Sequence, residues 1–253
     1  MESIRSCIVL ALALSIVAPG SVSARDPEAR TVMQRTFDQA RVSFRGKMRL
    51  VSPGGLERLI DVHHRQIGQS SSTYMEITAP FNLRDTRFLS FEHVGRENEH
   101  FTYVPMIKRS MRVPKWTLEQ SFLGSDFYMV DIAVPDMSKF EYSFSGEREV
   151  AGTTTRCIAS EPTVAGDEPY AKVVYCVDET KWLSLYTEYF DENGKLLKIW
   201  EPLKIEEIQG IWTPRDQTMR NVQSDTKSQL EILAIEYHVE LRDELFSKAH
   251  LDR

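Results

Sequence analysis

The sequence predicts a mainly β protein, built on a large antiparallel sheet of about ten or more strands that curves into a half-barrel or barrel. Segments with apolar residues at alternate positions recur at regular spacing along most of the chain. Between them stand clusters of Gly, Pro, Asn and Asp that favour turns. A single sheet of this size must cover its concave face with side chains, helices or a ligand.

The chain has 253 residues and a formal charge of −6. Residues 1–24 read as a secretory signal peptide: Arg5, an apolar run, then Pro19, Gly20 and the small residues Val22, Ser23 and Ala24. The run is about 12 residues, too short to span a bilayer. Cys7 precedes it and cannot be a lipoprotein acceptor. The expectation is an exported, soluble protein from about Arg25, long enough for one sizeable domain. A mildly acidic chain is a poor candidate for binding nucleic acid.

The first element after the leader is a helix. Asp26 suits its N-cap, Pro27 its first position and Glu28 its dipole, with Val32, Met33, Phe37 and Ala40 at helical spacing. The period then changes to two. In RVSFRGKMRLV, Phe44, Met48 and Leu50 alternate with Arg45, Lys47 and Arg49, giving one buried and one cationic face. SPGG at residues 52–55 is a turn. Strand patterns follow in LERLIDVHHRQI, STYMEITAP, TRFLSFEH and EHFTYVPM, then in FEYSFSGERE, TTRCIASEP, YAKVVYCVD and LSLYTEYFD. KLLKIWEPLKIEEI, TPRDQTMRN and QLEILAIEYHVEL complete the series. Ser145-Gly146-Glu147 and Asp191-Glu192-Asn193-Gly194 read as turns, the second a strong hairpin signal. The last residues carry Leu245, Phe246 and Leu251, which are expected to dock back on the body.

Residues 108–136 interrupt the meander as a long irregular insert, with a short helix expected in WTLEQSFLG. Loops of this length are commonly lids or functional segments. Two cysteines remain after the leader, Cys157 and Cys176, on adjacent strand patterns. In an oxidising compartment they are expected to form a disulfide, the alternative being two buried thiols.

No catalytic constellation emerges. Ser125 follows Gly124 but lacks the second glycine of a nucleophile elbow. His63 and His64 are adjacent on a strand and face opposite sides. No zinc-ligand spacing, P-loop or dinucleotide fingerprint is present, so neither a metal nor a cofactor is expected. What remains is an apolar sheet face. Phe44, Met48, Met75, Ile77, Leu89, Phe91, Phe101 and Tyr103 are its candidate lining, either of a lipid cavity or of an ordinary filled core. Lys108, Arg109, Arg112 and Lys115 form a candidate cationic rim, suited to an anionic head group or an acidic partner, or serving solubility alone. Phe122, Gly124, Ser125, Asp126 and Phe127 are expected to form a lid and its hinge.

Tyr103-Val104-Pro105, the basic Lys108, Arg109 and Arg112, and the block SFLGSDF at 121–127 together resemble the LolA-like outer-membrane lipoprotein-sorting protein family. The closer resemblance is to its periplasmic branch associated with RND-type lipid exporters. The later blocks LSLYTEYFDENGKLLKIWE and ELFSKAHL fit in the same order. The resemblance implies an incomplete antiparallel β-barrel (LolA/LolB-like) of about ten or eleven strands, with an N-terminal helix and short lid helices, over residues 25–253. It implies a monomeric, non-enzymatic carrier of lipid or lipoprotein acyl chains, with an inner-membrane RND-type exporter as partner. An envelope sensor or interaction module on the same fold is the competing expectation, and a lipid hydrolase using Ser125 a third.

Overall fold

The computed structural model describes residues 26–93, 95–114, 117 and 120–253. The expected leader, Lys115, and Trp116, Leu118 and Glu119 of the expected WTLEQSFLG helix therefore lie outside the described residues, and of the rest Phe122–Gly124 form a single 3-10 turn. After helix α1 (Pro27–Ala40), thirteen strands form one sheet. They are β1 (Phe44–Val51), β2 (Glu57–Ile67), β3 (Ser70–Ala79), β4 (Arg87–Glu92), β5 (Glu99–Val104), β6 (Arg109–Arg112) and β7 (Phe140–Val150). β8 (Thr153–Pro162), β9 (Lys172–Asp178), β10 (Leu183–Phe190), β11 (Leu196–Ile208), β12 (Ile211–Asn221) and β13 (Thr226–Tyr237) follow, then a short helix α2 (Lys248–Leu251).

Every pairing is antiparallel, and the spatial order runs β6-β5-β4-β3-β2-β1-β13-β12-β11-β10-β9-β8-β7. The first and last strands meet in the middle, while β6 and β7 are left as unpaired edges. The sheet is thus an incomplete barrel, with more strands than the ten or eleven expected. Of the thirteen, β6 is the one that none of the twelve strand patterns in the sequence covers. Residues 109–112 fall inside the stretch read as irregular, yet they pair with β5 as a short hairpin. Four residues are too few for alternation to reveal.

Ser145-Gly146-Glu147 is not a turn. β7 continues through it with a register shift between Phe144 and Glu147, where Gly146 has φ 101°. A glycine in a bulge and a glycine in a turn carry the same sequence signal. The hairpin at 191–194 forms as expected. Gly194 takes φ 72°, and Asp191 accepts from the backbone N–H groups of Asn193 and Lys195, both at 2.9 Å.

Asp26 caps α1, accepting from Glu28 N at 2.9 Å and Ala29 N at 3.2 Å. The helix buries Ala29, Val32, Met33 and Phe37 against Tyr142, Ile158 and Val177 of β7–β9. Ala40 is exposed, since the helix ends there. The opposite face of β3–β5 is covered by the C-terminal segment: Phe246 and Leu251 pack on Tyr74, Leu89 and Phe101, with Leu245 beside them. Cys157 and Cys176 stand directly opposite on β8 and β9 and are joined as a disulfide. No helix among the described residues is long and apolar enough to cross a membrane.

Candidate functional site

The concave face is one continuous apolar surface contributed by both halves of the sheet. Leu50, Ile60, Val62 and Met75 come from β1–β3, and Val173, Tyr189, Met219 and Leu230 from β9, β10, β12 and β13. The connection from β6 to β7 lies across it. Phe122 and Phe127 are buried in this cluster, and Leu123, Tyr128, Met129, Val130 and Ile132 pack against it. The sheet face and the cover pack together as one hydrophobic cluster among the described residues. Two clefts of about 210 Å³ occur among the described residues, lined largely by polar groups such as Arg30, Gln34, Arg41 and Glu92 in one, and Lys139 and Glu168 in the other. Neither suits an acyl chain, for which an apolar space of roughly 300 Å³ or more is needed.

The eight candidate lining residues divide between the two faces. Phe44, Met48 and Met75 border the covered core, and Ile77 shares Met75's face of β3, opposite Ile60. Leu89, Phe91, Phe101 and Tyr103 lie on the other face, under the C-terminal segment. Met75 pairs with Phe88 and Tyr74 with Leu89, so Phe88 is the β4 residue that faces the cover, at 5.7 Å from the Phe122 ring. RFLSF is apolar in both phases because both faces of this strand are buried, so alternation cannot choose between them.

The SFLGSDF block folds into a tight turn. Leu123 (φ 54°) and Gly124 (φ 75°) are consecutive left-handed residues. Phe122 N donates to Phe127 O at 2.7 Å, and the Ser125 hydroxyl donates to Phe122 O at 2.7 Å while accepting from Phe127 N at 3.2 Å. Ser125 is thereby spent on the turn. Asp126 fastens the turn to β13: its carboxylate accepts from Thr226 Oγ1 at 2.5 Å and Ser228 Oγ at 2.7 Å, and its backbone N–H donates to Ser228 Oγ at 2.8 Å. Ser52 Oγ donates to Leu123 O at 3.4 Å, a further tie to the β1–β2 turn.

A second fastening was not foreseen. Asp131 of the cover meets Lys198 of β11 at 3.4 Å, with both side chains shut off from solvent. Tyr170 donates to Asp131 Oδ1 at 2.7 Å, and Lys198 Nζ donates to the Tyr170 hydroxyl oxygen at 3.0 Å. Tyr128 N donates to Asp131 Oδ2 at 2.7 Å, and the Tyr128 ring lies under the ammonium. Burial holds Lys198 down at about 8, against the pull of Asp131. Burial likewise raises the Asp131 carboxyl, outweighing Lys198 and the hydrogen bonds. The Tyr170 phenol is raised by burial and by the neighbouring carboxylate. The one sequence signal was a lysine inside the apolar run LLKIW, since lysine is seldom fully buried without a partner.

The cationic candidates lie on the β5–β6 hairpin. Lys108 occupies the β5–β6 turn, and Arg109 and Arg112 the exposed edge strand. Lys115 lies outside the described residues. His63 and His64 point to opposite faces, His63 towards Tyr74 and His64 stacked on Phe44, and no metal-holding cluster occurs among the described residues.

A family model described as an uncharacterized protein matches residues 69–253. A comparison with curated proteins found no match. Among solved structures, the chain is similar to one described as an outer membrane lipoprotein-sorting protein domain from Vibrio parahaemolyticus (TM-score 0.83, 19% identity, 89% of this chain and 99% of that one). It is similar to a DUF1329 family protein from Desulfovibrio piger (TM-score 0.82, 20% identity, 88% and 98%). It is also similar to a LolA superfamily protein from Nitrosomonas europaea (TM-score 0.68, 19% identity, 88% and 98%).

Proposed function

The chain belongs to the family whose model spans residues 69–253 and is built on the fold of the LolA-like outer-membrane lipoprotein-sorting proteins, and we propose that it carries lipid or lipoprotein acyl chains in the periplasm, towards the outer membrane. The observation that supports this most is the cover. One long connection supplies Phe122, Phe127, Tyr128, Met129 and Ile132 to an apolar sheet face drawn from both halves of the chain. Moving that connection aside would expose a continuous hydrophobic trough without unpairing any strand. Burial of acyl groups there is worth about 0.8 kcal/mol per CH₂, so a carrier needs no reaction, only an exchange of one set of apolar groups for another. An inner-membrane RND-type exporter is the partner this reading proposes.

No catalysis is needed, and Ser125 is committed to the turn. Native mass spectrometry of protein extracted without detergent, with titration of a fluorescent fatty acid, tests the carrier reading. The expected result is bound lipid and saturable probe binding; protein that is lipid-free and binds no probe overturns it. The polar lining of both clefts favours one alternative, an envelope interaction module without cargo. That reading predicts tight capture of a membrane-protein domain by a chain that binds no acyl probe. Ser125→Ala separates both from a hydrolase, since it leaves acyl-probe binding in place and would abolish ester turnover only if the serine were the nucleophile.

A further inference from the structure

We propose that three successive hairpin turns at one end of the sheet form a rim that docks on an anionic phospholipid surface. The turns are residues 52–56, 80–86 and 105–108, joining β1 to β2, β3 to β4 and β5 to β6. The pairings place them side by side: Leu59 lies opposite Ala79, Arg87 opposite Tyr103 and Val104 opposite Arg109. Each turn carries large apolar side chains turned to solvent. Leu56 is 62% exposed, Phe81 86%, Met106 89% and Ile107 52%. Exposed apolar residues scattered singly are ordinary, but a row of them on adjacent turn tips is not.

Charge selects the occupant. The protein is net acidic at −6, yet Arg84, Lys108 and Arg109 flank these tips with no ion pair among the described residues; Arg84 donates to Thr78 O and lies over the Phe81 ring. Asp85 is the acidic group within the turns, and Glu57 beside them is 3.8 Å from Arg49. Apolar points ringed by unpaired cations match the interface of an anionic bilayer, where apolar groups enter the acyl boundary and cations meet head groups. A protein partner would call for one contiguous packed patch, whereas these are separate projecting tips. The rim also adjoins the cover, because Ser52 in the first turn donates to Leu123 O. Docking would bring the fastened turn of the cover to the membrane surface. The inference rests on the carrier reading only in giving that contact a purpose.

Flotation with phosphatidylcholine vesicles, with or without phosphatidylglycerol, tests it, using the purified protein and three variants. Wild type is expected to float with phosphatidylglycerol vesicles, and less as salt rises. Lys108→Ser with Arg109→Ser should weaken binding roughly 10- to 30-fold. Phe81→Ser with Met106→Ser and Ile107→Ser should abolish it, with an unchanged circular dichroism spectrum. Phe81→Trp should blue-shift its fluorescence on vesicle addition. Equal binding to both vesicle types, or flotation unaffected by the triple substitution, overturns the proposal. So does self-association that the triple substitution removes, which would make the row a contact between copies. Fatty-acid titration of the same samples keeps the two readings apart: probe binding without flotation removes the docking rim alone, and flotation without probe binding removes the carrier.

Discussion

Lys198 of β11 and Asp131 of the cover face each other at 3.4 Å, closed off from water. The pair joins a strand in one half of the sheet to a segment that begins at the opposite edge. Removing one partner leaves the other charge buried, at a typical cost of about 3 kcal/mol or more, whereas replacing both by apolar groups can be nearly neutral. Asp131→Asn is therefore expected to lower stability by several times more than Asp131→Leu combined with Lys198→Met. Urea unfolding of Asp131→Asn, Asp131→Leu, Lys198→Met and the double variant checks this, and losses in the double equal to the sum of Asp131→Leu and Lys198→Met would show that the two groups act independently.

Stability should also depend on pH through this lysine. Its ordinary value is 10.5, and burial lowers it to about 8 in the fold. Between those values the unfolded chain holds more protons than the folded one, so this group makes stability rise with pH. Its burial penalty is fully present below about 8 and fades above it. Asp131, raised by burial, acts in the opposite sense at acid pH: stability falls as pH rises from 3.8 towards its raised value. Unfolding midpoints measured across the alkaline window should climb for wild type relative to Lys198→Met, and parallel curves would contradict the assignment.

Asp126 is the other fastening. Asp126→Ala removes acceptors from Thr226 and Ser228, a loss of about 3 kcal/mol at typical values for hydrogen bonds to a charged group. Amide exchange should accelerate over residues 121–127 far more than in β2 or β12. If the carrier reading holds, the same variant should take up a fluorescent acyl probe faster than wild type. Uniform acceleration across the sheet would mean that the turn is part of the global fold and no separate latch.

The disulfide joins neighbouring strands across a sequence separation of 19. Cys157→Ser with Cys176→Ser should cost about 3 kcal/mol by loop-closure entropy, without moving the cover, since both cysteines belong to a cluster with Ala159 and Val174 that excludes the cover. Denaturation with and without reductant reads the first effect, and unchanged exchange at residues 121–132 reads the second.

The sequence made the scaffold legible because its signals are local. Asp26-Pro27 starts the helix, Asn193-Gly194 turns a hairpin, and the alternation in RVSFRGKMRLV orients β1 correctly. It failed where a signal is shared by two outcomes. Gly146 marks a bulge with the residue that elsewhere marks a turn. Leu89 and Phe101 alternate correctly but on the outer face, because the C-terminal Phe246 and Leu251 bury that side as well. The SFLGSDF block was read as a turn, and it forms one. Its anchors Thr226 and Ser228 lie about a hundred residues further on, and such separation leaves no periodic trace. Asp131 and Lys198 were missed for the same reason.

The unpaired edges of β6 and β7 carry a consequence of their own. A closed barrel is entered only through its ends, so a guest must be fed in lengthwise, tail first. Here the sheet ends at two free edges, and the segment that joins them lies across its apolar face. On the carrier reading, a guest with a bulky head and several tails would be laid in sideways, head outside, with no step in which a tail is threaded past a rim.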